Sequence, residues 1–265
     1  MGLARPYGRG DRGIGAVPAE PRGCVIPKGI SIVVPAFNEH RRLPATLDRL
    51  VAELPAFVED WEVVVADDGS TDATADVVRG HPSERVRLVG GAPNRGKGAA
   101  LRAGTEAADH PVVVFLDADL PVPVAQVVDL ARATDHADLV SGSRRVAGSS
   151  FDPPQPLARR LGGAGFLGAV RLLGYEITSD PQCGVKAFRA ASVSPLVAST
   201  SSDGFAFDVE LIVTCRRSGL RVEDRPVAWR HVPGSTLHPV PDALRTLVDL
   251  ARLRSHRART PVTVP

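Results

Sequence analysis

Only three of the 265 residues are cysteine, Cys24, Cys183 and Cys215, and they lie far apart. Their number is odd and none of their spacings suits zinc or a redox dithiol. Neither a disulfide framework nor a structural zinc site organises this chain, and a reduced, cytoplasmic protein is the simplest reading. No stretch approaches the roughly 20 apolar residues of a membrane-spanning helix. The first residues lack the apolar centre of a secretory signal. Any membrane contact is therefore expected to be peripheral. The formal charge of +2 is too small to make nucleic acid the main partner. No internal repeat is visible. What the chain does have is a 43% apolar fraction, enough for one large domain with a sizeable core.

Residues 1–27 are rich in Gly, Pro and Arg without periodicity and read as a disordered leader. A domain spanning about 28–235 follows, with one half at about 28–141 and another at about 142–235. Residues 236–265 form a basic amphipathic helix and tail. In the first half, β-branched runs alternate with helical patterns: a strand at Ile30–Val34 ended by Pro35, a helix at about 42–54, a strand at 62–66, a third at 85–89, a helix at 96–108, a strand at 112–116 and a fifth at 138–141. That alternation predicts a mostly parallel sheet with helices on both faces. Ser70 or Thr71 is placed to cap the helix after the second strand. The second half is less regular, with helices expected at 159–175, 207–218 and 242–257 and one strand at 221–229. The last helix carries a stripe of Leu244, Leu247, Val248 and Ala251.

The chemistry collects where strands end, the edge at which open parallel sheets bind ligands. Pro35-Ala36-Phe37-Asn38-Glu39, Asp67-Asp68-Gly69-Ser70, Asn94-Arg95-Gly96-Lys97-Gly98 and Asp117-Ala118-Asp119 follow the first four strands in turn. Asp117 and Asp119 are two residues apart, so in an extended segment both carboxylates approach one hard divalent cation, leaving positions for phosphate oxygens. Asp68 is suited to accept from a base N–H, and Asp67 or Asp68 to reach a ribose hydroxyl; either could instead only stabilise its turn. Arg95 and Lys97 sit beside glycines that let backbone approach a diphosphate. The run from Gly91 to Gly98 nearly spells a Walker A loop, but the residue after the lysine is Gly98, not Ser or Thr, which argues against an ATPase.

Taken together, these four clusters resemble family-2 glycosyltransferases of the GT-A fold. Gly142-Ser143-Arg144, the run Asp180-Pro181-Gln182-Cys183-Gly184-Val185-Lys186, Phe207-Asp208-Val209-Glu210 and Trp229 with Gly234-Ser235 resemble the dolichyl-phosphate β-glucosyltransferase branch. The resemblance implies an α/β GT-A domain with a Rossmann-like nucleotide half and an acceptor half. It implies inverting transfer of a hexose, glucose first, from a UDP-sugar to a polyprenyl or dolichyl phosphate. Carried over, Pro35, Phe37, Glu39 and Asp68 hold the nucleoside, Lys97 lies near the uracil or ribose, and Asp117 and Asp119 hold Mg2+ or Mn2+. Gln182, Cys183 and Gly184 lie by the sugar and acceptor.

The bond chemistry sets further expectations. A phosphate monoester with a second pKa near ~6 is already a good nucleophile, so strong base help is not obligatory. Asp208 is the candidate base or sugar-orienting group, with Glu210 in reserve; on a helix the two point apart. Arg144, Arg145 and Lys186, with Arg189 behind them, are candidate cations for the acceptor phosphate. Cys183 reads as a packing residue, and His231 and His238 as loop residues. Arg245, Arg252, Arg254, Arg257 and Arg259 beside the leucine stripe suit contact with an anionic membrane at the cytoplasmic face, or the stripe packs on the domain. The segment from Arg159 to Leu173 is a second such element. A homo-oligomer, a galactose or N-acetylhexosamine donor, a soluble acceptor, a nucleotide-sugar pyrophosphorylase and a non-catalytic UDP-sugar-binding module stay open as alternatives.

Overall fold

The computed structural model describes residues 29–152, 157–230 and 239–257. The expected leader and the segment with His231, Gly234, Ser235 and His238 lie outside them. The first half runs β1 (Ile30–Ala36), α1 (Leu43–Glu53), β2 (Trp61–Asp67), α2 (Thr74–Arg79), β3 (Val86–Gly90), α3 (Lys97–Glu106), β4 (Val112–Phe115), α4 (Val124–Ala133) and β5 (Leu139–Ser143). The second half adds β6 (Ser150–Asp152), α5 (Leu157–Leu172), β7 (Lys186–Arg189), α6 (Ala190–Ser199), α7 (Ala206–Arg217), β8 (Val222–Pro226), β9 (Ala228–Arg230) and α8 (Pro239–Arg257).

The main sheet has seven strands in the order β3-β2-β1-β4-β7-β5-β8. β1 to β4 pair in parallel, as do β5 and β8, while β7 runs antiparallel between β4 and β5. This reversal positions the site. Because β7 runs backwards, the segment entering it reaches the same sheet edge as the carboxyl ends of β4 and β5.

Period-2 alternation divides the core between the two faces of the sheet. Ile30, Ile32 and Val34 of β1 pack with Leu43, Leu47 and Leu50 of α1 and Val127 of α4. Val33, Val64 and Phe115 face the other way, against Leu101 of α3, Phe188 of β7 and Phe207 of α7. Each such fully buried side chain contributes about 1.5–3 kcal/mol relative to exposure. A third cluster joins Phe166 and Val170 of α5, Tyr175, Val209 and Val213 of α7, and Leu250 of α8. The Tyr175 hydroxyl donates to the Leu250 carbonyl at 2.7 Å, tying α8 to the domain.

Several local expectations need correction. β1 does not stop before Pro35 but continues to Ala36. Its pairing with β4 ends at Val33, so the N–H that proline lacks would have had no ladder partner on that side. Neither Ser70 nor Thr71 caps α2: Ser70 Oγ accepts the Asn38 N–H and the Thr71 N–H goes to Asn38 Oδ1, while Asp72 accepts the Thr74 N–H. The strand expected over 221–229 breaks at Val227, and its pieces join different sheets, β8 beside β5 and β9 beside β6. The packed face of α8 is Ala243, Leu247, Leu250 and Leu253. Leu244 and Val248 point outward, 59% and 49% exposed, and Ala251 is exposed too.

A carboxylate cluster at the sheet edge

The Asp117–Asp119 segment is a turn rather than an extended strand end. The Leu120 N–H donates to the Asp117 carbonyl at 3.1 Å, and Leu120 has a φ of +44°. The turn sends the two carboxylates to different partners. Asp117 Oδ1 accepts from Lys97 Nζ at 3.0 Å, and Asp119 Oδ2 accepts from Arg42 at 3.4 Å. They still feel each other. Burial first, and then the charge of Asp117, push Asp119 up to about 6 against the pull of Arg42. Burial alone would raise Asp117 as well, but Lys97, with Lys186 and Arg144 adding to its pull, outweighs it and holds Asp117 below the ordinary carboxylate range.

Gly184 makes room for Asp117. The β4–β7 register pairs Phe115 with Lys186, so continuing it two residues outward sets Asp117 opposite Gly184. A Cβ on Gly184 would fall on the Asp117 carboxylate. Gly184→Ala is therefore expected to push Asp117 off its position and reduce turnover by on the order of a hundredfold. Steady-state kinetics beside a melting curve checks this; wild-type turnover with an intact fold would contradict it.

Behind Asp117 lies a buried chain of alternating charges. Lys97 Nζ is also 3.8 Å from Asp208 Oδ2. Asp208 Oδ1 accepts from Lys186 Nζ at 2.6 Å, and Lys186 donates as well to the Cys183 carbonyl at 2.7 Å. Lys186 is 1% exposed and Asp208 3%. Burial would lower Lys97, but Asp117 and Asp208 outweigh it and hold its ammonium above the ordinary lysine range.

The structure redistributes the roles expected of individual residues. Lys186 is not an accessible cation for an acceptor phosphate, because its ammonium is buried on Asp208. Arg144 forms two bonds to Asp180, at 2.6 and 2.8 Å, and lies over the Trp229 ring at 4.7 Å. Arg189 is spent on the carbonyls of Thr134 and Asp135. Arg145 is exposed and makes no ion pair among the described residues, with its guanidinium beside Gly163 of α5. Asp208 and Glu210 do diverge, as their helical spacing requires. Glu210 is buried away from Asp208: it is 2% exposed and accepts N–H donors from Ser201 and Ser202. Gln182 is half-buried. Cys183 is fully buried and its thiol is pushed up to about 12, chiefly by burial, as suits a packing residue.

Among the residues expected at the nucleotide, Asp68 gives both oxygens to backbone: Oδ1 accepts the Arg95 N–H at 2.8 Å and Oδ2 the Gly96 N–H at 2.7 Å. It pins the β3–α3 loop to the end of β2. Asp67 accepts the Ser70 N–H at 3.2 Å, closing its own turn. Glu39 grips Arg42 through both carboxylate oxygens. Phe37 is exposed and Pro35 half-buried at the end of β1. Gly96 and Gly98 serve a contact between chain segments: their missing side chains admit the Ser202–Asp203 backbone, and the Gly98 N–H donates to the Asp203 carbonyl at 2.6 Å. Sequence reasoning missed Arg42, Asp180 and Gly184's packing role. Arg42 lies three residues after Glu39, the helical spacing at which opposite charges meet, and that signal was available.

The donor set suits a divalent ion that shares its coordination with a ligand. Among the described residues no group of three or more His, Cys, Asp or Glu could hold a metal by itself. Two like-charged carboxylates on one turn, one of them raised by burial and by the other, fit a hard cation completed by phosphate oxygens.

Residues 31–193 match the family model described as Glycosyl transferase family 2. The chain is 33% identical over 231 residues to a Drosophila melanogaster protein named dolichyl-phosphate beta-glucosyltransferase, covering 79% of this chain and 69% of the relative. It is 30% identical over 245 residues to a Homo sapiens protein of the same name, covering 86% and 75%. Among solved structures, the fold is similar to glucosyl-3-phosphoglycerate synthase from Mycobacterium tuberculosis in complex with Mn2+ and UDP-glucose, with a TM-score of 0.62 and 21% identity, covering 92% of this chain and 86% of that one.

Proposed function

The chain belongs to glycosyltransferase family 2 and is a glycosyltransferase, and from that premise we propose that it moves glucose from UDP-glucose to a polyprenyl phosphate of the dolichyl type, with inversion. The observation that carries the reading is the Asp117–Asp119 turn at the sheet edge, with Lys97 and Arg42 on its carboxylates. The relatives' names support the acceptor and the sugar.

In this reading the acceptor phosphate oxygen attacks the anomeric carbon from the face opposite UDP. The new C–O bond forms as the bond to the diphosphate breaks, and UDP leaves with the bonding pair. Mg2+ or Mn2+ held by Asp117 and Asp119 would supply Lewis-acid stabilisation of the diphosphate charge. Pro35, Phe37, Glu39, Asp67 and Asp68 form the nucleoside end, Asp68 by holding the β3–α3 loop. Gln182 lines the sugar end, with the buried Cys183 packed behind it. Arg145, exposed and without a carboxylate partner among the described residues, receives the acceptor phosphate, while Arg144 is fixed by Asp180 and Trp229. An acceptor already ionised near neutral pH needs no strong base. Asp208 therefore acts by holding Lys97 and Lys186 in place.

The test is a donor screen with purified protein, Mn2+ and decaprenyl or dolichyl phosphate, reading the lipid product by mass spectrometry. Polyprenyl-phosphate-hexose from UDP-glucose is expected. Glucose transfer only to soluble acceptors would overturn the lipid part of the reading.

No helix among the described residues is long and apolar enough to cross a membrane. The lipid is proposed to arrive at the α5–α8 side, where Leu172 of α5 is 88% exposed and Leu244 and Val248 project from α8 near Arg245. This would place the protein peripherally at the cytoplasmic membrane face. Leu244→Glu with Val248→Glu is expected to reduce sedimentation with anionic liposomes several-fold, with little change in melting temperature because both side chains are already exposed. Unchanged sedimentation would count against this surface.

A further inference from the structure

The carboxylates that would receive the divalent ion already have cations on them. Lys97 holds Asp117 and Arg42 holds Asp119, while Glu39 and Asp208 hold those two cations from behind. With Lys186 on Asp208, four carboxylates face three cations, which leaves a single negative charge. A divalent ion entering alone would turn that small negative charge positive and would have to displace an ammonium 3.0 Å from Asp117 Oδ1. A diphosphate entering with it supplies the missing negative charge and offers the displaced ammonium a new anionic partner.

We propose that Lys97 occupies the metal's place on Asp117 in the nucleotide-free protein, so that the divalent ion binds tightly only together with the nucleotide diphosphate. Lys97 is the first residue of α3, directly after the loop that Asp68 pins. Its flexible four-carbon stem can thus carry the ammonium between Asp117 and the nucleotide without moving the helix. Arg42 does not share this freedom, because Glu39 holds its guanidinium at two nitrogens. The consequence is reciprocal coupling: the nucleotide tightens the metal and the metal tightens the nucleotide by the same factor. The site then carries the same single negative charge before the metal and sugar nucleotide enter and after.

This inference rests on the donor-site reading above, and the experiment separates the two. Mn2+ affinity is measured by electron paramagnetic resonance of the free ion, with and without saturating UDP, for the wild type, Lys97→Met, Lys97→Gln and Lys97→Arg. In the wild type, UDP is expected to tighten Mn2+ by on the order of tenfold or more. Removing the ammonium in Lys97→Met or Lys97→Gln should tighten Mn2+ alone by a similar factor and shrink the effect of UDP. Lys97→Arg, which keeps a cation there, should retain weak binding of the bare ion. The proposal is overturned if neither Lys97→Met nor Lys97→Gln binds bare Mn2+ more tightly than the wild type. Wild-type protein that binds no Mn2+ even with saturating UDP would remove the donor-site reading itself, and this inference with it.

Discussion

Asp119→Asn is expected to lower sugar transfer by about a thousandfold or more while the fold and melting temperature stay close to wild type. Loss of a preorganised charge from a site that stabilises a developing oxyanion costs on the order of a hundred- to a thousandfold, and in the proposed reading the grip on a divalent ion goes with it. Stability behaves differently. Asp119 is raised to about 6 by burial and by Asp117, so an amide there removes a repulsion. Its partner Arg42 keeps Glu39. The variant is read by product formation with UDP-glucose over a range of Mn2+ concentrations, beside a thermal melt. Wild-type turnover by Asp119→Asn, or wild-type enzyme indifferent to excess EDTA, refutes the metal's role.

Asp208→Asn is expected to be worse for the fold. Lys186 is buried on Asp208 at 2.6 Å, with the Cys183 carbonyl as its other acceptor. Removing one charge of a buried pair leaves the other uncompensated, at a cost of about 3–5 kcal/mol. For a domain of this size that lowers the melting temperature by on the order of 10 °C. Transfer falls too, because Lys97 loses one of its two anchors. The double variant Asp208→Asn with Lys186→Met should recover most of the lost stability, since an apolar group of similar length replaces the stranded ammonium. A general base would behave otherwise: its loss would abolish transfer while the melting temperature held, and removing Lys186 would rescue nothing.

Most of the nucleotide half was legible in the sequence because each strand there is a β-branched run with a polar cluster at its end. Ile30–Val34, Glu62–Ala66 and Val112–Leu116 announce central parallel strands, and Asp117 and Asp119 end the last of them. β7 was not legible. Lys186-Ala187-Phe188-Arg189 has a charged residue at each end, and the buried lysine reads as polar until Asp208, 22 residues later, is seen to neutralise it. α4 and α6 were also unforeseen; α6 carries Pro195 in its interior, a residue that argues against a helix. The site residues were found by type but not by orientation. A spacing of two residues implies a shared side only in an extended segment, and Asp117–Asp119 is a turn. Partners such as Arg144 with Asp180 lie 36 residues apart and meet only because the antiparallel β7 brings its entry segment beside β5. The α8 stripe left two readings open, membrane contact or packing on the domain, and the structure divides it: Leu247 packs inward while Leu244, Val248 and Ala251 face outward. Leu244, Leu247, Val248 and Leu250 lie on both sides of one helix, and only the contacts with Tyr175 and Val170 decide which side is inward.

The central claim is that a sugar-nucleotide diphosphate lies along the edge formed by β1, β2 and β4, joined by a divalent ion to Asp117 and Asp119. Anomalous diffraction from crystals grown with Mn2+ and UDP tests it most directly. The account predicts one manganese peak between the two carboxylates and the diphosphate, with Lys97 withdrawn from Asp117. Nucleotide bound with no peak at that turn, or a peak held by other side chains, would contradict it.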